Sequence, residues 1–220
     1  MRTLRADLPR EMHQKGGAVM TLIQETNNTI RSCLLCGVGG QGTVLASRLI
    51  SSAAMAKQIP VLSAETIGMA QRGGSVFSHL RMCTEGALYC PMIARGEADL
   101  IIAFEPGEAV RLLPFLKPDG QMIVSSRPVM PVTAALSDTG YRAEDMLEYL
   151  SGRVSALTVV DADAALRAVG SPKVLNLVLL GAALHCGALG LEAEDLKEAV
   201  CRLIPEKFHE LNFRALEYKA

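Results

Sequence analysis

The stretch from Gly37 to Gly42 has the residue types and spacing best suited to binding chemistry. Gly37, Gly39 and Gly42 follow the G-x-G-x-x-G spacing, with Gly40 and Gln41 between them. Glycines permit a tight turn and let the backbone approach a bound anion closely. A helix that starts after this loop would direct its N–H groups and its dipole at negative charge. The spacing therefore predicts an anion-binding loop, with a purely structural turn as the alternative, because any tight strand-to-helix turn selects glycine.

Two kinds of nucleotide site can be compared with this loop. A P-loop requires Lys directly after the last glycine, and Thr43 stands there, which argues against nucleotide hydrolysis. A dinucleotide site needs an acid about 20 residues further on to bind a ribose. Glu65, which ends the apolar run 59–65, is the candidate. A nicotinamide or flavin cofactor therefore stays open as an alternative.

A second glycine-bearing loop follows Glu65 and carries a cation. Arg72 precedes Gly73 and Gly74, so its guanidinium lies on backbone that can close over an anion or a partner. The residues after this loop alternate like a half-buried strand, and 75–90 is predicted to form a hairpin.

The elements that must position these residues repeat in strand-helix order. Apolar runs before Gly37, at 98–105 and at 120–126 predict strands, and helical patterns separate them. The order predicts a three-layer, Rossmann-like, doubly wound and mainly parallel sheet with helices at the C-terminus. Ligands bind beyond the carboxyl ends of the strands in such sheets. The glycine loop, Glu65 and Glu105 are all predicted to lie at such ends.

Composition limits the classes of function. The chain has 220 residues, of which 50% are hydrophobic, and a formal net charge of -1, so no basic excess points to nucleic acid. The apolar run 174–191 is at the short limit for a membrane span and is predicted to be a buried helix. Residues 1–30 lack the apolar run of a signal peptide and are predicted to be a disordered extension, with Met20 an alternative start.

The six cysteines are spread along the chain, and Cys33, Cys36 and Cys186 lie in apolar runs. This usage predicts reduced, buried thiols in a cytosolic protein. Cys33 and Cys36 resemble half of a metal motif, but residues three apart in a strand point to opposite faces. The sequence has no four-cysteine run for an iron–sulfur cluster, no G-x-S-x-G elbow and no zinc spacing. The residues alone thus predict an α/β domain that presents a glycine loop and Arg72 to an anionic ligand or a partner subunit.

Four ordered motifs add a resemblance to a known family. They are Cys36-Gly-Val-Gly-Gly-Gln-Gly42, the stretch 64–75, Pro91-Met-Ile93 and the stretch 96–106. Together they resemble the gamma-domain family of pyruvate and other 2-oxoacid:ferredoxin oxidoreductases, and within it the beta subunits of indolepyruvate ferredoxin oxidoreductases. The resemblance runs from about Cys33 to the C-terminus and implies one gamma-type domain over residues 31–220.

The resemblance implies an oxidoreductase subunit of anaerobic metabolism. The family converts a 2-oxoacid and coenzyme A to an acyl-coenzyme A and CO2 and passes the electrons to ferredoxin. Thiamine diphosphate, Mg and the iron–sulfur clusters are expected on a larger alpha subunit, because this chain lacks the Gly-Asp-Gly motif and the cluster cysteines. The chain would then be an accessory subunit that binds no cofactor of its own and is inactive alone, with a homodimer as a candidate state without its partner.

The same resemblance assigns roles to the two loops. Gly37, Gly39, Gly40, Gln41 and Gly42 would form the anion-facing loop. Arg72, Gly73 and Gly74 would face the partner or the phosphates of coenzyme A, which is a candidate ligand of the shared site. A stand-alone nicotinamide or flavin oxidoreductase and a purely structural assembly module remain the alternatives.

Overall fold

A computed structural model describes residues 30–66, 73–130 and 140–219 of the chain. Arg72 and the predicted extension, apart from Ile30, lie outside these residues. The strands are β1 (Ile30–Val38), β2 (Val61–Thr66), β3 (Ser75–Cys83), β4 (Ala98–Ala103), β5 (Leu116–Ser125) and β6 (Ala156–Val160). They form one six-stranded sheet in the order β2-β3-β1-β4-β5-β6.

Helices cover both faces of this sheet. They are α1 (Thr43–Ala56), α2 (Pro106–Leu112), α3 (Ala143–Ser151), α4 (Ala162–Val169), α5 (Leu175–His185), α6 (Ala193–Leu203) and α7 (His209–Leu216), and 3-10 turns occupy Leu113–Phe115, Pro172–Val174 and Glu206–Phe208. A larger apolar cluster packs α1 and α4 to α7 against one face. A smaller cluster packs α2 and α3 against the other. The three predicted layers are therefore confirmed.

Strand β1 lies at the centre of the sheet because its sequence is apolar on both faces. Cys33 and Leu35 belong to the larger cluster, whereas Leu34 and Cys36 belong to the smaller one. A strand buried on both faces reads as a continuous apolar run. β1 pairs in parallel with β4, and β5 pairs in parallel with β4 and β6. The prediction of a mainly parallel, doubly wound sheet is confirmed.

The predicted hairpin at residues 75–90 is wrong. β3 ends at Cys83 and pairs antiparallel with β2 on one side and β1 on the other. Residues 84–97 form no strand. Their backbone instead contacts a side chain of β3, because the His79 Nδ1 accepts a hydrogen bond from the Ile93 N–H at 3.1 Å. The alternating pattern identified β3 correctly. In place of a following strand, β3 pairs with the preceding strand β2 along Val61–Thr66.

The apolar helix α5 is a core element, as predicted, with side chains buried from Leu175 to Ala183. In the described part of the chain no single helix combines the length and apolar character of a membrane span. The segments Ala162–Val169 and Pro172–His185 would pass such a test only as a pair, and they meet at 118°.

Candidate functional site

The glycine loop lies where β1 leaves the sheet and α1 begins, at the edge formed by the carboxyl ends of the parallel strands. Gly42 caps α1 with a φ of 86°, and Gly40 has a φ of 102°, values that favour glycine. Gln41 points its carboxamide into the loop. Its Oε1 accepts a hydrogen bond from the Val38 N–H at 2.7 Å, and its Nε2 donates to the Phe104 carbonyl at 2.9 Å. Gln41 thus joins the ends of β1 and β4.

Two backbone N–H groups of the loop are already hydrogen-bonded within the protein, whereas those in the first turn of α1 have no partner in the helix. The N–H of Gly39 donates to the Gly74 carbonyl at 2.8 Å, and that of Gln41 donates to the Val38 carbonyl at 3.2 Å. The first N–H groups of a helix have no partner within the helix. All of α1 is described, and its first turn holds no acidic side chain. Negative charge beside this turn would therefore meet unpaired N–H groups and the positive end of the helix dipole.

The second predicted loop lies beside the first. The bond between Gly39 and the Gly74 carbonyl brings the two together, and Gly73 has a φ of 77° that favours glycine. Arg72, the cation of this loop, falls outside the described residues. The structure therefore brings Gly73 and Gly74 to the glycine loop and gives no position for the guanidinium.

Glu65 is not beside the glycine loop. It lies near the end of β2 opposite Ser78 of β3, and Ser78 lies opposite Leu35 of β1. In a dinucleotide-binding unit the acid ends the strand next to the first one. Here β3 intervenes, which separates the β1 and β2 backbones by about 10 Å at the usual strand spacing. This arrangement differs from the one that the nicotinamide or flavin alternative requires.

A cleft of about 380 Å³ opens beside the loop at the same edge of the sheet. Its lining consists of Gly40, Gln41, Arg127, Pro128, Val129, Pro172, Lys173 and Leu175. Both cations are exposed, and neither forms an ion pair with another described residue. Two cations that have no ion-pair partner among the described residues, close to the amino end of α1, are groups that suit an anion.

Sequence reasoning missed both cations, although each left a signal. Arg127 lies shortly after the end of β5 at Ser125, and residues that follow a parallel strand lie at the binding edge of the sheet. Lys173 lies in the 3-10 turn that leads into α5. A cation just before a helix is unfavourable for the helix dipole, and this is a signal that the sequence contained.

Gly42 is confined by its neighbour as well as by its backbone. A Cβ added to Gly42 would lie 3.1 Å from Nδ2 of Asn176, a side chain that is 3% exposed, whereas one added to Gly40 would meet no atom within 4 Å. Both changes force an L-residue into the left-handed region, which typically costs more than about 1 kcal/mol.

Gly42→Ala is accordingly expected to lower the free energy of unfolding by more than Gly40→Ala does, because Asn176 must also move. Urea unfolding of the two variants measures the difference. Equal losses in the free energy of unfolding would show that Asn176 can move away from the added methyl group without cost.

The thiols of Cys33 and Cys36 point to opposite faces of β1, as predicted, and lie in different apolar clusters. Burial raises the pKa of both thiols well above the ordinary value. Since the thiolate is the form that ligates metals, this pair has the properties of core residues. The burial predicted for Cys186 is wrong, because this residue caps the exposed end of α5.

Glu105 lies just beyond the carboxyl end of β4, as predicted, and its side chain is fully buried. Its Oε2 accepts a hydrogen bond from the Glu108 N–H at 2.9 Å and caps α2. It contacts the lining of the cleft at Val129, whose N–H lies 3.4 Å from Oε1.

Comparison with known proteins identifies close relatives of this chain. It is 36% identical over 182 residues to the indolepyruvate oxidoreductase subunit IorB of Methanothermobacter thermautotrophicus, covering 82% of this chain and 91% of that protein. It is 33% identical to the IorB subunit of Archaeoglobus fulgidus, covering 84% and 90%. The common gamma subunit of the pyruvate and ketoisovalerate oxidoreductases of Pyrococcus furiosus is 28% identical, covering 81% and 89%.

Solved structures share the fold. The gamma subunit of a keto/oxoacid ferredoxin oxidoreductase from Geobacter sulfurreducens has a TM-score of 0.62 at 22% identity, covering 86% of this chain and 93% of that one. The 2-oxoglutarate:ferredoxin oxidoreductase of Magnetococcus marinus has a TM-score of 0.64 at 17% identity, and the match covers 86% of this chain and 30% of the longer one.

The family itself follows from a family model and from these relatives. The model described as pyruvate ferredoxin/flavodoxin oxidoreductase matches residues 32–218. This range contains the four motifs that carried the resemblance, which is confirmed. The chain belongs to the pyruvate ferredoxin/flavodoxin oxidoreductase family.

Proposed function

We propose that this chain is the accessory subunit of an oxidoreductase that converts indolepyruvate or related arylpyruvates, with coenzyme A, to acyl-coenzyme A and CO2. The observation that carries the proposal is the similarity to IorB subunits, at 36% identity over 91% of the length of one of them. The gamma subunits of pyruvate and ketoisovalerate enzymes are less similar, at 28%. An aromatic oxoacid is therefore favoured over pyruvate.

The redox chemistry is assigned to a larger partner. Thiamine diphosphate, Mg and iron–sulfur clusters belong to that subunit in the proposal, and ferredoxin receives electrons through the complex. The described residues offer no group of three His, Cys, Asp or Glu side chains that could hold a metal ion. In this proposal the chain and its partner form one complex in the cytoplasm. That the chain forms a homodimer without its partner stays a prediction.

The cleft is proposed as the place where this subunit contributes to the reaction. Its cations and the first turn of α1 suit the phosphates of coenzyme A, because charge-assisted hydrogen bonds to phosphate are short and strong. Gly37, Gly39, Gly40, Gln41 and Gly42 would shape the wall of this site. Arg72, Gly73 and Gly74 would extend it toward the partner, since the Gly74 carbonyl already contacts Gly39. Glu65 lies across β3 from the glycine loop, on the side away from Arg127, so any contact that it makes with a ligand or the partner would be outside this cleft.

Substrate preference tests the proposal. The chain is co-expressed with the thiamine diphosphate and iron–sulfur subunit of the same genome, and ferredoxin reduction is measured with indolepyruvate, pyruvate and 2-ketoisovalerate. We expect kcat/KM for indolepyruvate to exceed the other values by at least about tenfold, the scale on which apolar pockets discriminate.

Each subunit alone serves as the control and is expected to give no turnover. A complex that fails to form, or an isolated chain that reduces an acceptor unaided, would overturn the accessory role. A complex that prefers pyruvate would leave the accessory role intact and reject the substrate assignment.

A further inference from the structure

The buried carboxylate of Glu105 binds more groups than a helix cap requires. Glu105 follows β4, is fully buried and caps α2 through Oε2. Capping needs only one carboxylate oxygen. The second oxygen, Oε1, accepts a hydrogen bond from the Tyr141 hydroxyl at 2.6 Å and another from the Val129 N–H at 3.4 Å.

The two donors to Oε1 come from opposite ends of one connection. Val129 follows β5 and lines the cleft, and Tyr141 precedes α3. One oxygen therefore ties the start and the end of this connection to β4. Burial, together with the hydrogen bond to Glu105, raises the pKa of the Tyr141 hydroxyl. It remains a hydrogen-bond donor to the carboxylate at physiological pH.

The packing around Tyr141 fits this contact closely. A Cβ added to Gly107 would overlap the Tyr141 hydroxyl and would lie 3.1 Å from Oε2 of Glu105. Only glycine at position 107 leaves the hydroxyl free to reach Oε1. A change at Tyr141 can thus disturb this bond while α2 keeps its cap, whereas a methyl group at position 107 would press on both the hydroxyl and the capping oxygen.

We infer that Glu105 is a positioning residue for the cleft: through Oε1 it holds Val129, and thereby the wall that carries Arg127, against the end of β4. Arg127 itself is anchored by its N–H, which donates to Ser125 Oγ at 3.1 Å. The wall from Arg127 to Val129 is then fixed at both ends, by Ser125 and by Glu105. The inference rests on the proposed function, because it assumes that the cleft binds the phosphates of coenzyme A.

Tyr141→Phe tests this role with a minimal change, since it removes the hydroxyl and keeps the ring. The KM for coenzyme A in the complex should rise about tenfold while kcat stays within about twofold, because only binding is disturbed. Hydrogen exchange of the Val129 N–H in the full-length chain should become at least about tenfold faster, as its acceptor is freed to move. Gly107→Ala should reproduce both effects by displacing the same hydroxyl.

Two control variants separate the outcomes. Met82→Ala removes a side chain that is 4% exposed at the opposite edge of the sheet, where Met82 faces Arg31, and so lowers stability without touching the cleft. If Tyr141→Phe changes KM and exchange no more than Met82→Ala does, Glu105 is only a cap and the inference fails. Arg127→Ala tests the cleft directly: an unchanged KM there would reject the cleft as the coenzyme A site. Faster exchange at Val129 in Tyr141→Phe would still establish the contact that holds the wall.

Discussion

Reversing both cleft cations, in the variant Arg127→Glu/Lys173→Glu, is expected to raise the KM for coenzyme A in the complex by about 100-fold. A hydrogen bond to a charged group contributes about 1.5–3 kcal/mol, and each tenfold loss corresponds to about 1.4 kcal/mol. Folding should change little, because exposed charges away from special features alter stability by about 0.5 kcal/mol or less. Initial rates at varied coenzyme A concentration, together with the Tm of the isolated chain, measure both effects.

The matched control is Arg48→Glu/Arg95→Glu, which makes the same change in net charge at two other exposed positions. It should leave the KM within about twofold, since neither residue lines the cleft and interactions between exposed charges are screened at physiological salt. Equal effects of the two double variants would mean that net charge, and not the cleft, controls the use of coenzyme A. A KM unaffected by the cleft variant would reject the anion site.

The parts of the fold that were predicted correctly depend on local pattern. The unit from β1 through the glycine loop to α1 is contiguous, so its apolar run, glycines and helical spacing all lie within residues 30–56. The parallel order of β4, β5 and β6 follows from alternating strands and helices. The pairing of β3 was missed because alternation identifies a strand without naming its neighbour.

The candidate site was predicted less completely, because its contacts are distant in sequence. Gln41 was predicted as part of an anion-facing loop, and the spacing gave no sign that its carboxamide hydrogen-bonds to the Phe104 carbonyl, 63 positions away. Arg127 and Lys173 line the same cleft because the end of β5 and the turn before α5 lie at the same edge of the sheet. The spacing of residues along the chain does not predict which distant residues lie together in the fold. The position of the glycine loop was predicted, whereas its cationic partners required the structure.

The glycine loop itself has a structural role that can be separated from binding. Gly37 is more enclosed than Gly40 or Gly42: an added Cβ would lie 2.7 Å from Gln41 Oε1, 2.9 Å from the Phe104 Cβ and 3.2 Å from the Thr43 Cγ2. Contacts this short require atoms to move. The first to move would be the Gln41 carboxamide, which holds β1 to β4.

Gly37→Ala is therefore expected to lower the free energy of unfolding by about 3 kcal/mol. Overpacking a core costs about 1–3 kcal/mol, and a buried donor left without its acceptor, here the Val38 N–H, costs about 1–3 kcal/mol more. For a domain of this size the Tm should fall by about 6–12 °C. Urea unfolding and a thermal scan of the isolated chain measure the two quantities.

A double-mutant cycle with Gln41→Ala assigns the cause of this loss. Without the carboxamide, the new methyl group at position 37 meets only Phe104 and Thr43, so Gly37→Ala should cost at least about 1 kcal/mol less in that background. Gly152→Ala is the matched control, because a Cβ there would have its nearest neighbours at 3.8 Å, and it should change stability by about 0.5 kcal/mol or less. Strict additivity of Gly37→Ala and Gln41→Ala would show that the clash with Phe104, and not displacement of Gln41, makes glycine necessary at the end of β1.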